Sequence, residues 1–154
     1  MNIEIDFIKS LQQINSKVLT NIMVGISLPF HMYIFPIIIG LLYYYEMIDL
    51  KKVIFFISCH LILLIIKYTV KRNRPYTSDS SIINMETMYL DEYSFPSGHM
   101  VNAIIFSNLL NINNCLIKLL PLLVGLSRCY LGVHYPSDIL GAIIFTNIMY
   151  KQYN

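Results

Sequence analysis

Apolar residues along this chain come in long blocks separated by short polar stretches. Residues 18–45 contain no Asp, Glu, Lys or Arg, and 53–66, 100–117 and 139–150 are further blocks of the same kind. A helix needs roughly 20 apolar residues, and at least about 17, to cross the hydrocarbon of a bilayer. Several blocks reach that length only by taking in a polar residue at one end. The pattern therefore predicts short helices packed as a bundle, with the polar chemistry gathered at one membrane face. Ahead of the blocks, Ile3, Phe7, Leu11, Ile14 and Val18 recur at helical spacing with Glu, Lys, Gln and Asn between them. That predicts an amphipathic helix over 1–20, lying at the interface rather than spanning.

The first block is interrupted by Pro29 and Pro36. It reads as one kinked spanning helix, because neighbours in a bundle can satisfy the carbonyls that proline frees. Residues 46–52 form a polar turn, and 53–70 the second span. The stretch 71–95, with Asp79, Glu86, Asp91 and Glu92, is the longest polar segment and reads as a solvated cap loop. A third helix begins at Ser97 or Gly98 and runs to about Asn111. An Asn-rich turn at 111–114 leads to a fourth helix ending near Leu131. After a tight turn at 132–135, Pro136 suits the first turn of a fifth. The expected fold class is all-α: a single domain over 1–154, an integral-membrane, multi-pass bundle of about five spanning helices plus the N-terminal interfacial helix.

Composition supports a membrane solvent. Of the 154 residues 56% are hydrophobic and only 13% charged, with a mean hydropathy of +0.58, whereas soluble domains carry about 25% charged residues. The twelve Tyr fall mostly at predicted helix ends, among them Tyr43, Tyr44, Tyr45, Tyr68, Tyr130 and Tyr135, as an aromatic belt at headgroup level would. Glu4 and Asp6 stand where a secretory leader would carry positive charge. A net charge of +2 is too small to imply a nucleic-acid partner. Cys59, Cys115 and Cys129 are isolated and read as buried small apolar residues.

The topology brings three distant segments to one side: the end of the second span, the start of the third, and the turn between the fourth and fifth. They read KYTVKRNRP, PSGH and SRCYLGVHYPSD. Lys67, Arg74 and Arg128 put three cations at one place, which would repel one another without an anion. Arginine's planar fork matches phosphate oxygens, and lysine acts as a point charge. Ser97 and Gly98 open a helix whose free N–H groups and positive dipole end favour an anion. His134 and Asp138 are four apart, so the carboxylate can take the Nδ1 proton and leave Nε2 as a nucleophile. His99 can protonate a leaving oxygen and later activate water. The residues point to a site for a tetrahedral, multiply charged oxyanion with histidine attacking phosphorus.

These segments resemble the signature of the type 2 phosphatidic acid phosphatase superfamily: Lys-x6-Arg-Pro, Pro-Ser-Gly-His, and Ser-Arg-x5-His-x3-Asp. Every specified position is filled here with the internal spacings intact. The resemblance, strongest over 53–150, implies a helical membrane bundle and a phosphohistidine on His134, with Asp138 as its partner and His99 as general acid. It implies that Lys67, Arg74, Ser97, Gly98, His99 and Arg128 contact the phosphate, and that no metal and no cofactor take part. The expected substrate is a lipid phosphomonoester or diphosphate, with membrane lipids as the surrounding partner. Two other readings stay open: a phosphotransferase using the same site, and a non-catalytic phospholipid-binding membrane protein. The last would be expected to have lost His134 or His99.

Outside the signature, His60 and His31 read as structural, the first bonded to a neighbouring helix and the second answering the backbone broken near Pro29. Asn102 and Ser107 read as interhelical hydrogen bonds, and Lys71 and Arg72 as contacts to lipid headgroups.

Overall fold

The computed structural model describes residues 2–109 and 114–153. Every regular element in them is helical: α1 (Ile3–Gln12), α2 (Lys17–Ser27), a 3-10 turn (Leu28–Phe30), α3 (Ile34–Tyr44), α4 (Leu50–Val70), the single turn α5 (Pro75–Ser78), α6 (Gly98–Leu109), α7 (Cys115–Tyr130) and α8 (Pro136–Tyr153). The all-α bundle expected from the blocks is the fold observed. The Asn-rich turn, apart from Asn114, lies outside the described residues.

Side-chain chemistry sets the ends. Asp49 accepts from Lys52 N at 2.8 Å to start α4, and Lys71, in the left-handed region at φ 51°, ends it with its N–H on Lys67 O. Asn114 caps α7 through Leu116 N. Two boundaries differ from the sequence reading. The helix expected over 1–20 is two helices, because Ser16 is extended and its hydroxyl caps Leu19 N, starting α2 afresh. The kinked first span is likewise a broken pair, α2 and α3 meeting at 51°. Pro29 sits at the start of the 3-10 turn and Pro36 in the first turn of α3, where a missing N–H costs no helical bond.

α6 is the central helix. His99 through Ile105 are all buried, packed between α7 and α8 with α4 and the 3-10 turn alongside. The main core joins Phe35, Phe56, Cys59, Leu63, Val101, Ile105, Val124 and Ala142 across these elements. Outside it lies a belt of exposed large apolar side chains, including Ile37, Leu61, Ile65, Leu122 and Ile144. Water solvates such a belt poorly and hydrocarbon solvates it well. Among the described residues α4 is long and apolar enough to cross a membrane alone, and the bent α2–α3 pair qualifies if taken as one span.

Tyr43, Tyr44, Tyr45 and Tyr68 are exposed as a belt requires, but Tyr130 and Tyr135 are buried. Cys59 and Cys129 are buried, whereas Cys115, at the first position of α7, is exposed. α1 also packs differently from its expected apolar stripe. Ile3 and Phe7 face outward, while Ile5 and Ile8 turn inward onto Ile82 and Tyr135. Gln12 fastens this helix: its Nε2 donates to Ile83 O (2.8 Å) and Tyr130 O (3.1 Å), and its Oε1 accepts from Ile83 N. α1 therefore sits over the end of the bundle that carries the signature residues.

Candidate active site

Backbone and side-chain bonds draw the three signature segments to one end of the bundle. Ser97 N donates to Asp138 O at 3.2 Å, joining the starts of α6 and α8. Arg74 Nη1 donates to Val133 O at 2.9 Å, joining the segment after α4 to the α7–α8 turn. Lys67 Nζ donates to Tyr93 O at 2.7 Å, and Ser94 N to Arg72 O at 2.9 Å, tying the cap loop to both. The turn needs Gly132, whose φ is +76°. A Cβ there would stand 2.5 Å from Ile83 O and 2.8 Å from Gln12 Nε2.

The signature side chains gather at this end of the bundle, but Ser97, Arg128 and Asp138 are not among those that line the cavity there. Lys67, Arg74, Ser97, His99, Arg128, His134 and Asp138 are buried. His134, His99, Lys67, Arg74 and Gly98 share the lining of one cavity of about 120 Å³, well above the roughly 10–15 Å³ that admits a water. A Cβ on Gly98 would meet nothing within 4 Å, so its side is open.

The His134 ring is held from two sides. Nδ1 stands 3.3 Å from Asp138 Oδ2, and Nε2 stands 3.4 Å from Arg74 Nη1. Asp138 Oδ2 also accepts from Tyr135 N at 2.9 Å, which fixes the carboxylate under the ring. Burial, and then the charges of Arg74, Lys67 and Arg128, push the His134 imidazole well below its usual protonation range. A neutral ring with its Nδ1 proton on Asp138 keeps its lone pair on Nε2, where it faces the Arg74 Nη1 donor and the cavity. His99 lines the same cavity, its ring 5.4 Å from that of His31.

Two carboxylates of the cap loop pair with the three cations, which corrects its reading as merely solvated. The Glu86 side chain is almost fully buried, with Oε2 at 2.5 Å from Arg128 Nη1, and Arg128 Nη1 also donates to Ser27 Oγ at 2.8 Å. Burial raises the proton affinity of Glu86, but the Arg128 charge and the N–H groups of Met88 and Thr87 outweigh it and leave the carboxyl below its ordinary value. Asp91 lies 3.2 Å from Lys67 Nζ and pairs with Arg74 Nη2. Glu92 is exposed as expected. Arg128 Nε and Nη2 are buried without a hydrogen-bond partner among the described residues. Two such N–H donors on a charged group suit an oxyanion.

Of the residues outside the signature, some depart from their expected parts and some keep them. Arg72 turns inward rather than toward headgroups: Nη1 lies 2.6 Å from Asp138 Oδ1 and Nη2 2.8 Å from Glu4 Oε2. Lys71, beside it, is exposed. His31 holds the Tyr89 carbonyl of the cap at 2.8 Å through Nε2 and lines the cavity. His60 also lines the cavity, with Nδ1 on Phe56 O of its own helix at 3.1 Å and its ring toward Asn102 of the neighbouring α6, in keeping with the interhelical part expected of it. Asn102 reaches across to Phe30 O at 2.9 Å as expected, whereas Ser107 bonds Ile104 O within α6.

A helical membrane bundle with a buried cationic cradle around paired imidazole and carboxylate defines the class. The PAP2 superfamily model matches residues 50–151, and the chain belongs to that superfamily. Two solved structures share its fold. A transmembrane PAP2-type phosphatidylglycerolphosphate phosphatase from Bacillus subtilis superposes with a TM-score of 0.72 at 23% identity, over 97% of this chain and 83% of that one. LpxE of Aquifex aeolicus does so with a TM-score of 0.73 at 20% identity, over 98% and 96%. The superpositions take in α1 to α3, which lie outside the family match.

Proposed function

We propose that this protein is a multi-pass membrane phosphatase that hydrolyses a phosphomonoester or diphosphate on a lipid, without a metal, through a phosphohistidine on His134. The observation that carries the reading is the His134 ring, set between the Asp138 carboxylate on Nδ1 and the Arg74 guanidinium beside Nε2, on a cavity it shares with His99 and Lys67.

In the first step Nε2 attacks phosphorus, the N–P bond forms, and the bond to the leaving oxygen breaks as His99 gives that oxygen a proton. Asp138 stabilises the positive charge that develops on His134. Arg74, Arg128 and Lys67, with Ser97 and the N–H groups opening α6, hold the spreading charge of the transferring phosphoryl oxygens. In the second step His99 takes a proton from water as its oxygen attacks, the N–P bond breaks, and orthophosphate leaves. The Nδ1–Oδ2 distance is at the long end for a hydrogen bond, and such contacts tighten as charge develops.

A lipid substrate is favoured by the exposed apolar belt and by Met32, Leu63 and Leu64 among the residues lining the cavity. The name of the Bacillus subtilis neighbour, a phosphatidylglycerolphosphate phosphatase, fits that choice. The whole chain acts as one domain, with the α2–α3 pair, α4, α6, α7 and α8 crossing the bilayer. At 12 residues α6 is short for a span, but it is enclosed by its neighbours and need not match the lipid itself.

The test is phosphate release from a lipid phosphomonoester in detergent micelles containing EDTA. Release that persists in EDTA and disappears in His134→Ala supports the reading, and activity that depends on added metal overturns it. Transfer to an added alcohol in place of release would instead identify a phosphotransferase.

A further inference from the structure

The amphipathic N-terminal helix and the segment following α4 meet at the back of Asp138. Asp138 is wholly buried, and its two oxygens divide their partners. Oδ2 serves Tyr135 N and His134 Nδ1, while Oδ1 lies 2.6 Å from Arg72 Nη1. Arg72 Nη1 also donates to Ser137 Oγ at 2.6 Å, and its guanidinium lies over the Tyr135 ring at 3.9 Å. Glu4 then closes the group: Oε2 takes Arg72 Nη2 and Oε1 takes Ser137 N, each at 2.8 Å.

We infer that Arg72 and Glu4 are positioning residues for the reaction, locking the Asp138 carboxylate in the rotamer that serves His134. The inference rests on the proposed role of His134. Three features separate it from ordinary surface pairing, which is worth about 0–1 kcal/mol. First, Arg72 is held at both ends. Ser94 N fixes its carbonyl, and its guanidinium bridges two carboxylates from different elements. A planar fork fixes the geometry of both contacts at once, whereas the freely rotating donors of an ammonium do not. Second, Arg72 reaches Asp138 Oδ1 from the side away from His134. Without it Oδ1 loses its charged partner, and the Tyr135 N–H on Oδ2 is left as the main restraint against rotation about the Cβ–Cγ bond, which would carry Oδ2 off the Nδ1 proton. Third, Glu4 balances a cation that would otherwise draw Asp138 toward itself and weaken its hold on the imidazole.

The consequence is that α1 contributes to a site built from elements distant in sequence. Its seating, with Ile5 and Ile8 inward and Gln12 clamped to Ile83 and Tyr130, sets Glu4.

The test compares Arg72→Gln, Arg72→Lys and Glu4→Gln with the unaltered enzyme, each also in an Asp138→Asn background, using steady-state hydrolysis of a lipid phosphomonoester in micelles. Arg72→Gln should lower kcat roughly 10- to 100-fold with KM nearly unchanged, the scale of loss from a displaced catalytic group. Arg72→Lys should recover only part of it, and Glu4→Gln should lose less than Arg72→Gln, again in kcat. In the Asp138→Asn background Arg72→Gln should cost under about 3-fold, because the group it positions is gone.

A rise in KM with kcat intact would make Arg72 a substrate-binding residue, and equal losses in both backgrounds would make it merely structural. Either overturns the inference. Should Arg72→Gln not fold, Glu4→Gln carries the same comparison with the arginine in place. His134→Ala, run alongside, separates the two failures: full activity in that variant would remove the phosphohistidine reading itself.

Discussion

Glu86 Oε2 and Arg128 Nη1 face each other at 2.5 Å, with the glutamate side chain 2% exposed and the arginine 0%. The partners come from the cap loop and α7, so this buried ion pair fastens the loop over the bundle end. Breaking such a pair by removing one partner costs about 3–5 kcal/mol, because the other charge stays buried and unbalanced. Glu86→Ala is therefore expected to lower the thermal unfolding midpoint in detergent. Inorganic phosphate or vanadate should raise that midpoint more in the variant than in the parent, since an anion on Arg128 replaces the lost carboxylate. Equal shifts would mean that Arg128 does not reach the anion.

The same carboxylate sets an acid limit. Its folded proton affinity is below the ordinary 4.5, so the stability it contributes is fully present above pH 4.5. That contribution is lost as pH falls through the lower folded value. Unfolding midpoints followed from pH 6 downward should fall below about pH 4.5, and less steeply in Glu86→Gln.

His134 shows the complementary behaviour for a base. Its folded proton affinity lies below the ordinary 6.5. The fold thus favours the neutral ring, and this contribution is present above pH 6.5 and lost as pH falls through the depressed value. Imidazole NMR of the substrate-free protein, assigned by His134→Gln, should show this ring still neutral at pH 6. A resonance titrating at or above 6.5 would contradict the cationic surroundings described for it.

His99 should reveal its role through the leaving group. His99→Ala is expected to lose roughly 100- to 10,000-fold in kcat on lipid substrates, the usual worth of a positioned acid. It should lose much less on an aryl phosphate whose leaving oxygen needs no proton. Equal losses on both would take His99 out of the acid role.

How far the site could be read in the sequence depends on how its residues are held. The gathering of Lys67, Arg74, Ser97, Gly98, Arg128, His134 and Asp138 at one end of the bundle was legible because helix starts and ends fix their positions locally, while the parts assigned to them rest on the resemblance to the family signature. Glu86 and Asp91 were not, because a loop residue's partner depends on where the loop closes, and nothing local distinguishes them from the exposed Glu92. Arg72 looked like any cation flanking a membrane helix. Its inward turn follows from Lys71 adopting the left-handed region and from Glu4, 68 residues away, waiting for it. Ile5 and Ile8 were hidden by a stronger apolar stripe on the opposite side of α1, one suited to lipid rather than protein. The break at Ser16 turned on a single capping hydroxyl inside a period that otherwise ran on.

The central claim is that phosphorus becomes bonded to His134, and rapid quenching with a lipid substrate labelled in its phosphate tests it most directly. The account predicts a transient, acid-labile and base-stable label that maps to the peptide carrying His134, formed in EDTA and absent from His134→Ala. It also predicts that Asp138→Asn slows formation of the label. Undiminished turnover in His134→Ala, or label on any other residue, would contradict it.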